Sequence, residues 1–240
     1  MIELKKRRKS VVISWYKLSY YQMDINNKFI DFDKKQLESI IKCDYLEHYI
    51  RNNIISNIPF NIKKIKFDSY FNQDIQLFLH TQIIMLEFGF DFNKPINNLP
   101  IELNLLKLGS KFNHPVNNLP LKINTLIFGS NFNQPIDLLP NSIKVLVLSG
   151  DFNQDISNLP LGLKVLRLTG CEFNFSIDSS PNSIEILELN PKYRIEINKL
   201  PTNLNMIQLG EIKYNYSSDL EKIKKKLKLS NETTNEIIIN

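Results

Sequence analysis

Two rhythms of apolar residues overlie each other along residues 58–217. The short one has period two. Leu106-Lys107-Leu108, Leu126-Ile127-Phe128 and Leu146-Val147-Leu148 alternate as a brief β-strand does. The long one recurs every 20 or 21 residues, where a Phe-Asn pair follows each short run. The pairs are Phe71-Asn72, Phe92-Asn93, Phe112-Asn113, Phe132-Asn133, Phe152-Asn153 and Phe173-Asn174. A unit this short cannot bury its own apolar face, so it must stack on its neighbours. The pattern therefore predicts a repeat solenoid, mainly β, whose short strands lie side by side as a parallel sheet of about eight units.

One unit reads LPIELNLLKLGSKFNHPVNN, from Leu99 to Asn118, and the next reads LPLKINTLIFGSNFNQPIDL, from Leu119 to Leu138. The unit from Leu139 to Asn158 keeps the same frame, and further units start at Pro160, Pro181 and Pro201. Earlier ones begin at Pro59 and, without a proline, near His80. The proline fixes φ and lacks an amide, which suits a corner. The Gly or Ser after each strand (Gly89, Gly109, Gly129, Ser149) is expected to permit a tight turn. The Phe is expected to fold back into the core from the opposite wall. The Asn column reads as structural, with stacked amides bonding the turn backbone and each other. About 20 residues leave no room for a full helix between strands. The last two units degrade to Tyr193-Arg194 and Tyr214-Asn215, as the water-facing end of an array allows.

The LP-x-x-L-x-x-L-x-L-G-x-x-FN-x-P-I unit resembles the FNIP repeat, a variant of the leucine-rich repeat, over about two thirds of the chain. The resemblance implies a leucine-rich-repeat-like solenoid used for protein contacts, with no catalytic residues. Some members of that family carry an F-box near the N-terminus, which links them to ubiquitin ligases. The usual Leu-Pro-x-Glu opening of an F-box is not found before residue 50.

Three regions follow. Residues 1–57 form an N-terminal flank, 58–217 the solenoid, and 218–240 a C-terminal capping helix and tail. Short helical flanks are expected at both ends. Over 34–51, Asp33 and Gln36 fit a capping box, and Leu37, Ile40, Ile41, Leu46, Tyr49 and Ile50 fall mainly on one face. This segment reads as a cap on the first repeat or as a docking helix for another protein, and the ubiquitin-ligase reading requires residues 1–57 to be a diverged F-box-like segment. Over 218–229, Ser218 and Glu221 fit a second capping box ahead of Leu220, Ile223 and Leu227.

Period two also identifies the outward side chains. One column holds Lys64, Met85, Leu105, Thr125, Val145, Val165, Ile186 and Met206. The other holds Lys66, Glu87, Lys107, Ile127, Val147, Arg167, Glu188 and Gln208. The expected partner-binding surface is Leu105, Lys107, Thr125, Ile127, Val145, Val147, Val165 and Arg167, apolar in the middle with charges at its border.

Composition narrows the function. Net charge is +5, but residues 1–9 carry +4 and residues 219–228 carry +3, so the body between them is slightly acidic at −2. A nucleic-acid binder wants a continuous positive track. Binding of nucleic acid or an anionic surface through the two basic ends is therefore a weaker alternative. The other alternative is substrate recognition within a ubiquitin ligase. Cys43 and Cys171 show no framework spacing and read as free thiols, and no apolar run follows the basic N-terminus. An intracellular, cytoplasmic location is expected, with nuclear import through Lys5–Lys9 as the variant. His48, His80 and His114 are scattered, and no metal-binding or phosphate-binding motif is found, so neither an enzyme nor a cofactor is expected. His114 stands where other units have Gln73, Gln134 and Gln154, which reads as a tolerated surface exchange.

Overall fold

A computed structural model describes residues 63–75, 82–170 and 173–210 in full. Beyond them it describes the backbone of strands at residues 5–7, 10–13, 45–48 and 212–215. The described strands form one sheet of twelve in simple chain order. Strands β1 (Lys5–Arg7), β2 (Ser10–Ile13) and β3 (Tyr45–His48) precede the repeats. The repeats supply β4 (Lys64–Lys66), β5 (Met85–Glu87), β6 (Leu105–Lys107), β7 (Thr125–Ile127), β8 (Val145–Leu148), β9 (Val165–Leu168), β10 (Ile186–Leu189) and β11 (Met206–Leu209). Strand β12 (Ile212–Asn215) closes the order. Strands β2 to β11 are parallel, while β1 and β12 run antiparallel to their neighbours. The solenoid expected from the repeats is thus the architecture observed.

The register is fixed by the core. Ile65, Leu86, Leu106, Leu126, Leu146, Leu166, Leu187 and Ile207 are directly paired across successive strands, and each is at most 1% exposed. Slipping by one residue would turn this whole set outward, so the register is strongly specified. A typical unit sends six side chains inward: Leu99, Leu103, Leu106, Leu108, Phe112 and Val116 in the one from Leu99. Together these columns make one continuous hydrophobic core. Two places have a 21-residue step, and the extra residue lies outside the strand each time. One of these lies between Leu168 and Phe173, so the sheet register survives it.

Each unit turns back at set points. The carbonyl of the repeat proline accepts the amide three residues on, as in Leu103 to Pro100 and Ile123 to Pro120. The same bond recurs at Pro140, Pro160, Pro181 and Pro201. The proline thus sits at a corner before the strand, where its missing amide is not required. A second turn closes on the ring residue, as in Phe112 N–H to the Gly109 carbonyl at 3.2 Å.

The Phe rings form a column through the core: Phe71, Phe92, Phe112, Phe132, Phe152 and Phe173, continued by Tyr193. Successive centroids are 6.0 to 6.1 Å apart and the rings are near parallel, an offset stacking that adds to the gain from burial. Tyr193 keeps its ring in the column because its hydroxyl donates to the Phe175 carbonyl at 3.1 Å. Burial pushes its phenol up to about 12.

The Asn residues beside the rings form a ladder. Each side-chain oxygen accepts the backbone N–H of the Asn one unit on: Asn72 from Asn93, Asn93 from Asn113, Asn113 from Asn133, Asn133 from Asn153, and Asn153 from Asn174. These bonds measure 2.9 to 3.1 Å. Gln134 and Gln154 brace it by donating to Asn113 and Asn133 at 3.0 and 2.9 Å. His114 takes the Gln position with Nε2 at 3.1 Å from the Asn93 carbonyl. It is therefore a brace of the same wall, more engaged than the tolerated surface exchange expected. At a different place in the unit, five residues past the ring, Asp178 accepts from Asn198 and Lys199 one unit on. Partial burial works to raise its carboxyl pKa, but the hydrogen bonds from Asn198, Lys199 and Ser176 outweigh this and hold it below the usual value.

Three expectations need correction or limits. Within 34–51, read as an amphipathic helix, Tyr45–His48 is a strand paired with β4. The parallel edge of β4 offers these residues a row of amides and carbonyls that a helix would leave unused. The rest of that segment, the expected helix at 218–229, Cys43, Cys171, His80 and the remaining tail lie outside the described residues. Tyr214-Asn215, read as a degraded Phe-Asn turn, instead belongs to β12, which folds back on β11 through Gly210 at φ 59°. The tight turn expected after Gly89 and Gly109 is present, but its need for glycine does not come from φ. Among the described glycines only Gly150 and Gly210 have positive φ. A Cβ on Gly89, Gly109 or Gly129 would instead overlap the backbone carbonyl of the turn one unit earlier.

Ser180 stands in the column otherwise filled by Leu99, Leu119, Leu139 and Leu159. It is 5% exposed, and its hydroxyl has no hydrogen-bond partner among the described residues. A buried hydroxyl without a partner opposes folding.

Asn133→Ala removes the acceptor for both Asn153 and Gln154 and should lower unfolding free energy by about 1–3 kcal/mol in urea titration. Ser180→Ala should raise it by about 1 kcal/mol in the same measurement, since it deletes the unpaired hydroxyl and keeps the backbone.

Candidate functional site: the outward face of the sheet

The outward side chains of β6 to β9 lie in two straight columns. Leu105, Thr125, Val145 and Val165 are paired in sequence across the four strands, as are Lys107, Ile127, Val147 and Arg167. The structure thus brings all eight residues expected at the site onto one patch. Leu105, Thr125, Ile127, Val145, Val147 and Val165 are half-buried, while Lys107 and Arg167 are exposed. The half-burial comes from neighbours in the same column, which parallel strands hold about 4.8 Å apart. The burial pattern inside each strand alternates, so the leucines between these residues face the core.

The border charges are paired across strands. Lys107 Nζ lies 3.6 Å from Glu87 Oε2, and Arg167 Nε lies 3.2 Å from Glu188 Oε2. The members of each pair differ in exposure. The side chains of Lys107 and Arg167 are 50% and 52% exposed, those of Glu87 and Glu188 only 19% and 21%. Along this column the order is anion, cation, two apolar residues, cation, anion. Exposed pairs of this kind contribute little to stability, about 0–1 kcal/mol each.

One feature of the site was not foreseen. At the C-terminal ends of β5 to β7 a shallow depression of about 250 Å³ is lined by Phe90, Lys107, Ile127, Phe128 and the glycines Gly89, Gly109 and Gly129. It joins the apolar patch at Lys107 and Ile127. Phe90 is exposed at its rim, with Lys111 Nζ 5.6 Å from the ring centroid, and Lys111 is held by Asp91 at 2.7 Å. The signal was present in the sequence: Phe90 stands where the next units have Ser110 and Ser130.

Among the described residues no cluster of His, Cys, Asp and Glu could hold a metal ion, and no helix is long and apolar enough to cross a membrane.

Residues 132–171 match the FNIP repeat. The strands, rings and Asn ladder extend the FNIP spacing well beyond that stretch on both sides. Among solved structures, the chain is similar to a crystal structure described as that of CroV588, a novel circular LRR protein structure. The TM-score is 0.64 and the identity 34%, over 70% of this chain and 27% of that one. The match thus spans about a quarter of that protein's length. The comparison with curated proteins found no match. The FNIP repeats here therefore build a leucine-rich-repeat-like solenoid.

The glycine ladder that floors the depression gives a test of the packing behind the site. Gly109→Ala should destabilise the fold by about 1–3 kcal/mol, because the added methyl meets backbone and not a movable side chain. Urea titration read by circular dichroism would measure it.

Proposed function

We propose that this solenoid is a non-enzymatic protein–protein interaction module that binds its partner on the outward face of the sheet. The observation that carries the reading is the contiguous apolar patch formed by Leu105, Thr125, Ile127, Val145, Val147 and Val165 on strands β6 to β9. A contiguous apolar surface with a polar rim is the usual anatomy of a contact site. The backbone beneath it is held on one side by the Phe column and on both sides by paired strands, so the patch is presented rigidly. Rigid presentation lowers the entropy lost on binding. The solenoid character of the repeats, which suits extended contact surfaces, supports the same reading.

The test is affinity capture with the full chain and with Val145→Lys plus Val147→Lys. Both positions point outward, so the double variant should keep its circular-dichroism spectrum and melt cooperatively. It should lose the proteins that wild type retains. An unchanged set of captured proteins on a folded double variant would overturn the sheet face as the contact surface.

A further inference from the structure

The sheet-face reading leaves open what kind of segment the patch receives, and the charges at its border bear on that. We infer that the occupant is an amphipathic helix of a partner protein, carrying a carboxylate at each end of its apolar stripe. The inference rests on the sheet-face reading and adds to it a partner chemistry.

The sign comes from exposure. Glu87 and Glu188 neutralise Lys107 and Arg167 in the count of charges, but they are sheltered at 19% and 21% exposure. The cations are half open to solvent at 50% and 52%. A surface docking from above meets the guanidinium and the ammonium before it meets either carboxylate. Complementary charge on the partner is therefore negative at both ends of the patch.

The secondary structure comes from the backbone. The strands beneath the patch use their amides and carbonyls within the sheet, bonding to neighbours on both sides. An extended segment laid on that face would find no partner for its own backbone groups, and leaving those unpaired is costly. A helix satisfies its backbone internally and needs only side-chain contacts.

The spacing comes from the sheet. Lys107 and Arg167 are three strand steps apart, a span of about 14 Å. At 1.5 Å per residue this corresponds to about nine residues, and the nearest longer spacing that returns to the same helix face is eleven, a rise of about 16.5 Å that long Lys and Arg side chains can meet. The chain's own segment at 218–229 is a poor occupant on charge alone, since it carries five Lys against Asp219 and Glu221. The other segment read as a helix contributes Tyr45–His48 to the sheet itself.

The test uses side-chain-stapled helical peptides of about sixteen residues, fluorescently labelled and titrated with the full chain. All share one apolar stripe. One peptide carries Glu at both ends of the stripe, about eleven residues apart, and its counterpart carries Lys there. The Glu-ended peptide should bind wild type at least about tenfold more tightly than the Lys-ended one. In Lys107→Gln plus Arg167→Gln the difference should shrink to about twofold or less. Equal affinity for the two peptides, or a preference that persists in that double variant, overturns the inference. A second variant, Ile127→Ser plus Val147→Ser, removes the apolar centre without changing charge and separates the two readings. If both peptides bind equally and this variant abolishes both, the sheet face is the contact surface and only the acidic-ended helix is wrong. If Glu-ended binding survives this variant, the peptide is held elsewhere and the inference fails. Failure of both peptides to bind wild type also overturns it, and the sheet-face reading then stands or falls on affinity capture.

Discussion

The hydrogen bond from each Asn amide to the side-chain oxygen of the Asn one unit earlier is the contact on which the rest of the solenoid depends. The sheet wall needs no such device, because strands bond each other through their backbones. Beyond the strands the backbone bonds only once more from unit to unit before each ring, as in Asn131 N–H to the Ser110 carbonyl at 2.8 Å, and the turns after it must still stack at the same pitch. The Asn side chain supplies the missing acceptor, and a turn placed off pitch would leave an amide bare. The Phe column beside it adds contact area but little direction. Ring stacking tolerates sliding, whereas a bond near 3 Å does not. Pitch on the far wall is therefore set by hydrogen bonds and filled in by rings.

That division explains where the sequence was legible. Period two in Leu106-Lys107-Leu108 and its relatives identified the strands, and the Phe-Asn spacing identified the stack, because both are local patterns repeated many times. The outward columns, and so the candidate site, followed directly from the same alternation. The purpose of the repeat glycines did not. Glycine is commonly associated with unusual φ, but what excludes a Cβ at Gly109 is the carbonyl of Gly89, one unit away in sequence and adjacent in space. Contacts of that kind carry no local signal. The strand at Tyr45–His48 was misread for a related reason. Its apolar spacing fits a helix face, but the open edge of β4 outcompetes local propensity.

The site shows a similar limit. Glu87, Lys107, Arg167 and Glu188 could be placed on the face from sequence alone. That the anions are sheltered and the cations open depends on side-chain packing across strands, which no spacing reveals. The same holds for the depression beside Phe90. It exists because three glycines in a row leave the strand ends without side chains, so the exposed ring has a cleft next to it and not a flat wall.

The hairpin at Gly210 has a consequence for size. A stack of like units has no intrinsic reason to stop, since the last one offers its successor the same edge that it met itself. By reversing direction after Leu209, the chain presents an edge of opposite polarity. Another turn of the same kind cannot add there in register. At the other end of the described sheet, Lys5–Arg7 likewise runs antiparallel to its neighbour. Among the described residues, the sheet thus has an antiparallel strand at each side, and neither offers the parallel edge on which the repeats stack.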